Sequence, residues 1–94
     1  MPSSFRIVYT TAFKRDIKSF IGRNKDGYRQ FIKLLELLHE DPYNVTRKKN
    51  IKKLAGTAPG DGQWRIRSGK YRLRYDIFEK DVILYSFSHR KEAY

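Results

Sequence analysis

The sequence predicts an α+β domain: two N-terminal helices packed on one face of a small antiparallel sheet, in the order β-α-α-β-β-β. Three observations predict it. Two early stretches repeat apolar residues at helical spacing, and residues 63–88 instead alternate apolar with polar. The 94 residues suffice for one domain, residues 1–94, and not for two.

Residues 5–9, FRIVY, alternate and are rich in β-formers, so they read as a first strand. Thr10 and Thr11 offer a hydroxyl N-cap. Phe13, Ile17, Phe20 and Ile21 then recur at helical spacing to about residue 22. GRNKDG, 22–27, reads as a turn, and a second helix as spanning 26–40. Its broad apolar stripe, Tyr28, Phe31, Ile32, Leu34, Leu35, Leu37 and Leu38, suits burial against a sheet and the first helix. Asp41-Pro42 stops it. His39, at its end, reads as structural, where a cation suits the helix dipole.

Residues 43–62 are the least regular. TRKKNIKKLAG is a basic run with a short strand near 51–54, and GTAPGDG is a loop by composition. Three strands follow, at 63–67, 71–78 and 82–88. Trp64, Tyr71, Tyr75 and Tyr85 read as core.

The first two of these strands fix their own register. Trp64 and Ile66 alternate with Arg65 and Arg67; Tyr71, Leu73, Tyr75 and Ile77 alternate with Arg72, Arg74 and Asp76. The apolar faces must coincide, because a slip of one residue sends one set to the wrong side. Trp64 then lies opposite Tyr75, Arg65 opposite Arg74, Ile66 opposite Leu73 and Arg67 opposite Arg72. The same register leaves Gly69-Lys70 as a two-residue loop, with glycine where a type II′ turn requires it. Two opposed arginine pairs cost the sheet roughly 0.2–1 kcal/mol each. A phosphate-binding face accounts for that cost; splayed, solvated arginines do not.

The last strand admits two registers. A loop of Lys80 and Asp81 sets Arg72 opposite His89 and Arg74 opposite Phe87, so His89 joins the arginine face. A three-residue loop sends Ile83, Tyr85 and Phe87 to the core face, and His89 with them. The first is preferred.

The net charge of +11, from 21 basic and 10 acidic residues, speaks to partners. Nucleic acid leads, ahead of an anionic membrane or an acidic protein, because the basic residues interleave with aromatics across a mixed pattern rather than along one amphipathic helix. The chain has no cysteine, which excludes disulfides and thiolate metal sites and fits a cytoplasmic protein. No segment reads as a signal peptide or a membrane span. Asp61, Asp76, Glu79, Asp81 and Glu92 form no carboxylate cluster, and no glycine-rich phosphate loop precedes a helix. Neither metal nor small-molecule cofactor is expected.

Cutting RNA without metal needs a base for the ribose 2′-hydroxyl, cations for the phosphorane and an acid for the leaving 5′-oxygen. Arginine forks suit the second task. The terminal HRKEAY offers His89, a proton carrier by residue type, with Arg90 and Tyr94; for Tyr94, nearby cations would have to lower a phenol pKa of about 10.

The run WRIRSGKYRLRYDIF, then the apolar strand DVILYSFS, then HRKEAY, resembles the RelE/ParE superfamily of bacterial type II toxins, and the resemblance covers nearly the whole chain. It implies a RelE-like fold and a ribosome-dependent, metal-independent endoribonuclease that cuts messenger RNA, held in check by a cognate antitoxin. It places Arg65 and Arg67 on phosphate and transition state, Arg72 on the scissile phosphate and Arg90 on the leaving group. His89 or Tyr94 takes the base or acid role. By charge alone, Lys48, Lys49, Lys52, Lys53 and Arg74 suit RNA backbone contact. No acidic residue matches the catalytic glutamate of one branch. The antitoxin is expected to carry an acidic and apolar segment that covers the arginines or displaces the tail. Two other functions fit the same fold: a ParE-type gyrase inhibitor without RNase activity, and a non-catalytic RNA-binding module.

Overall fold

The structure, a computed structural model, describes residues 5–45, 47, 50–58, 60 and 62–89. The expectations for Lys48, Lys49, Arg90 and Tyr94 lie outside these residues. The elements run β1 (Arg6–Tyr9), α1 (Thr11–Arg23), α2 (Lys25–Glu40), β2 (Ile51–Lys53), β3 (Trp64–Ser68), β4 (Tyr71–Phe78) and β5 (Asp81–His89). The strands form one sheet in the order β1-β5-β4-β3-β2. Every pairing is antiparallel except β1 with β5, which is parallel. Side-chain alternation carries no strand direction, so that one reversal was not legible in the sequence.

Helix α1 starts where Thr10 accepts a hydrogen bond from the Phe13 N–H at 3.2 Å, and the same hydroxyl donates to the Leu84 carbonyl at 3.1 Å. The expected turn at 22–27 is absent: Asn24 alone separates the helices. Its backbone is extended, its N–H closes α1 on the Ile21 carbonyl, and its side chain caps α2 by accepting from the Gly27 N–H at 2.8 Å. Gly27 lies inside α2, where a Cβ would come within 2.5 Å of the Phe20 ring, so a glycine here lets the helices meet closely.

Phe13, Ile17, Phe31, Leu34 and Leu38 of the helices pack on Ile66, Leu73, Tyr75, Val82 and Leu84 of the sheet. This core covers one face of the sheet. The α2 stripe is narrower than its sequence suggests: Tyr28 and Ile32 stay 48% and 38% exposed, facing away from the core. Where the chain leaves α2, the buried Tyr75 hydroxyl donates to the Pro42 carbonyl at 2.7 Å, and that burial pushes the phenol well above its ordinary range. His39 is structural: its Nδ1 lies 2.8 Å from the Phe5 carbonyl, and the Phe5 N–H donates to the His39 carbonyl at 3.2 Å.

The β3–β4 register is the one the sequence predicts, pair for pair. Gly69 turns the hairpin at φ 59°, as a type II′ turn needs of its first central residue. Neither register considered for β5 holds along its whole length; the second, which sends Phe87 and His89 to the core side, holds only for its last residues. The loop is Glu79 and Lys80, so Phe78 faces Asp81, Tyr75 faces Leu84, and Val82 and Leu84 enter the core. A bulge follows, opposite the step from Arg74 to Tyr75, and shifts the phase by one residue. Beyond it Arg74 faces Ser86, Leu73 faces Phe87, Arg72 faces Ser88 and Tyr71 faces His89. The preferred placement of His89 opposite Arg72 is therefore corrected: His89 lies on the helix side. Tyr85 falls at the bulge and is not part of the buried core.

Candidate nucleic-acid interface

The face of the sheet turned away from the helices carries the basic residues. Lys52 pairs with Arg65, Arg65 with Arg74, and Arg67 with Arg72, so cations run across β2, β3 and β4 on one side. Ser86 and Ser88 extend this face onto β5, beside Arg74 and Arg72. Their hydroxyls can donate to a phosphate oxygen where the arginines supply charge. Sequence reasoning missed them, because the preferred register set Phe87 and His89 opposite these arginines instead.

The arginines differ in how they are held. Arg74 donates from Nε and Nη2 to the Gly62 carbonyl at 3.2 and 2.9 Å. Its fork is thus committed to the 54–63 loop, which qualifies its expected role in gripping RNA backbone. Asn50, with its amide oriented to suit, accepts from Nε and Nη2 of Arg67 at 3.2 Å each. Arg65 is half-buried, and Arg72 is half-buried with its Nε shielded from solvent. A fork already oriented loses less freedom on meeting a phosphate.

Asp76 is the buried acid of this face, 7% exposed. Its two carboxylate oxygens accept from the Gly60 and Gln63 N–H groups, 2.6 Å each. The loop that looked irregular in sequence is therefore tied down beside the arginines. Gly62 completes the tie: at φ +80°, a Cβ on it would lie 3.0 Å from the Arg74 Cβ. Asp76 is occupied as a backbone acceptor rather than as a base, and no metal-ligand cluster occurs among the described residues.

His89 stands edge-on to Tyr71, ring centroids 5.2 Å apart, and Tyr71 stacks on Phe87 at 5.5 Å. Asn24 Nδ2 donates to the Tyr71 hydroxyl at 3.1 Å. The structure thus gathers Arg65, Arg67, Arg72, Arg74 and Lys52 on one side and sends His89 and Lys53 to the other. A shallow pocket lined by Lys25, Tyr28, Arg29 and Ile32 lies along α2, also on the side away from the arginines.

A sequence model of the family described as "ParE toxin of type II toxin-antitoxin system, parDE" matches residues 7–94. The chain belongs to this toxin family. It sits within the RelE/ParE superfamily that the strand and tail motifs resemble. The toxin is 31% identical over 83 residues to a protein of Methanocaldococcus jannaschii named "Putative toxin RelE1", covering 86% of this chain and 88% of that one. Its fold also matches a chain of the crystal structure of the RelB-RelE antitoxin-toxin complex from Methanococcus jannaschii, with a TM-score of 0.62 at 24% identity, over 92% of the toxin and 93% of that chain. The toxin is accordingly one partner of a toxin-antitoxin system. No helix among its described residues is long and apolar enough to cross a membrane.

Proposed function

We propose that the toxin is a metal-independent endoribonuclease of the cytoplasm that cleaves messenger RNA on the ribosome and so stops translation. The observation that carries this reading is the opposition of Arg65 to Arg74 and Arg67 to Arg72 on the open face of the sheet. Such pairs weaken an empty sheet and suit a bound phosphate.

In this mechanism Arg65, Arg67 and Arg72 bind the scissile phosphate. A base takes the proton of the 2′-hydroxyl, the 2′-oxygen attacks phosphorus, and the guanidiniums stabilise the extra negative charge of the phosphorane. The bond to the 5′-oxygen breaks, and that oxygen takes up a proton. The products are a 2′,3′-cyclic phosphate and a 5′-hydroxyl, with no net change in protons. Because His89 turns to Tyr71, the base role goes to Tyr94, with Arg90 at the leaving oxygen. Lys48, Lys49 and Lys52 add backbone contacts. A cognate antitoxin with an acidic, apolar segment opposes this face; that the structural relative comes from an antitoxin-toxin complex supports an antitoxin partner.

The position of His89 also favours a second reading, a ParE-type gyrase inhibitor, since among the described residues no histidine joins the arginines. One experiment separates the two. Inducing the toxin and mapping transcript ends should show new 5′-hydroxyl ends within reading frames, lost with Arg72→Ala, while supercoiling stays normal. Loss of supercoiling with intact transcripts would establish the gyrase reading instead.

A further inference from the structure

The turn after α2 holds an aromatic ring in solvent. Tyr43 is 46% exposed, although its neighbour Pro42 is wholly buried. The turn beneath it is tied at four points. The Asp41 N–H donates to the Leu37 carbonyl at 3.0 Å and the Asn44 N–H to the Asp41 carbonyl at 3.1 Å. The Val45 N–H donates to the Asp41 carboxylate at 2.9 Å, and the Tyr75 hydroxyl donates to Pro42. Folding has therefore already ordered this ring before any ligand arrives, which lowers the entropy lost on binding.

Tyr43 is the middle of three rings. It stands edge-on to Phe5 at 6.0 Å and to Trp64 at 5.6 Å. An ammonium group closes each end: Lys80 lies 5.0 Å from the Phe5 ring centroid and Lys53 lies 5.5 Å from that of Trp64.

The position of Lys53 joins this row to the arginine face. Lys52 and Lys53 are consecutive and exposed on β2, an edge of the sheet. Lys52 pairs with Arg65 on the arginine side, whereas Lys53 pairs with Trp64 on the other. A phosphate chain leaving Arg65 meets Lys52 at the rim and Lys53 just over it, with Tyr43 next.

We propose that Tyr43, flanked by Lys53 and Lys80, is a base-stacking site for single-stranded RNA, and that the strand reaches it from the arginine face over the β2 edge. This rests on the reading of that face as RNA-binding and adds a second contact to it. An unpaired base offers a π-face to the tyrosine, and the phosphates on either side meet the two ammonium groups. A duplex keeps its bases stacked inside, and a polyanion without bases has nothing to stack.

Trp64 is the only tryptophan of the chain and touches Tyr43, so its emission reports on the site. The purified toxin is titrated with a single-stranded oligoribonucleotide, 2′-O-methylated so that it cannot be cut, with the same strand made abasic, and with heparin. The intact strand should change Trp64 emission saturably, and the other two should not. Tyr43→Leu should weaken intact-strand binding about tenfold and leave heparin binding unchanged. Tyr43→Phe should bind like the native chain. An equal emission response to the abasic strand overturns the site without recourse to any variant. So does a Tyr43→Leu protein of native melting temperature that binds within twofold of wild type. If binding then still depends on Arg72, only Tyr43 falls and the arginine reading stands. If no oligonucleotide binds the native chain, both fall together.

Discussion

His89 meets Tyr71 edge to face on the helix side of the sheet, across the strands from the side that carries Arg72. Two kinds of role follow for the residue, and they make different predictions. A general base would impose its own acid limb on the pH–rate profile of cleavage. A packing residue would impose none. His89→Phe keeps a ring against Tyr71 and removes the proton carrier. Transcript cleavage by His89→Phe should stay within about threefold of native and keep the same acid limb in its pH–rate profile. A loss of two orders of magnitude, the usual worth of general base catalysis, would return His89 to the chemistry.

That relationship also shows where the sequence was readable and where it was not. The arginine grid was legible because two constraints coincide: apolar residues of β3 and β4 must share a face, and Gly69 permits a two-residue turn at one place only. On β5 both Val82 with Leu84 and Phe87 with His89 reach the helix side, which no uniform alternation allows. A bulge lets each of two contradictory registers hold for half the strand. Residues 22–27 were misread for a related reason, since glycine was taken as a turn signal when Gly27 answers to the Phe20 ring. Asp76 looked like one more alternating polar residue; its partners are backbone N–H groups, which carry no sequence signature.

Asp76→Ala should be among the more destabilising changes on the open face. It leaves the N–H groups of Gly60 and Gln63 without their charged acceptor beside a buried position. Hydrogen bonds to a charged group contribute about 1.5–3 kcal/mol each, and solvent reaching the loop recovers part of that. A net loss of about 3 kcal/mol in urea unfolding is expected. The loop borders the arginines, so cleavage should fall as well. A loss below about 1 kcal/mol would mean that the loop is not held by this carboxylate.

Gly62→Ala and Gly69→Ala separate backbone strain from close approach. Both glycines have positive φ, 80° and 59°, so both alanines incur the left-handed cost of about 1–2 kcal/mol. A Cβ at Gly69 meets nothing within 4 Å, whereas at Gly62 it comes within 3.0 Å of the Arg74 Cβ. Gly62→Ala should therefore cost about 1–3 kcal/mol more than Gly69→Ala, the usual range for overpacking. It should also loosen the Arg74 fork from the Gly62 carbonyl. Chemical denaturation of the two variants side by side checks the difference, and equal losses would exclude the close approach.

Tyr75 gives the toxin a stability that is lost at alkaline pH. Burial raises its phenol above the ordinary value, with the Asp41 charge adding to the shift. Tyr9 is shifted the same way, by burial and then by Tyr28. A phenol whose folded pKa exceeds its unfolded one is neutral in both states below about pH 10, so its contribution is complete there. As the pH rises past about 10, the unfolded chain ionises at Tyr75 and the folded one does not, and stability falls by about 1.4 kcal/mol per pH unit for this group. Tyr75→Phe removes that slope along with the hydroxyl bonded to Pro42. At neutral pH the variant should be about 1 kcal/mol less stable than native, because the Pro42 carbonyl loses its partner. Between pH 10 and 11 the gap should narrow and then reverse in the variant's favour, a crossing that urea midpoints measured across the range would reveal. Parallel curves with no convergence would show that the Tyr75 hydroxyl is reached by solvent in the folded state.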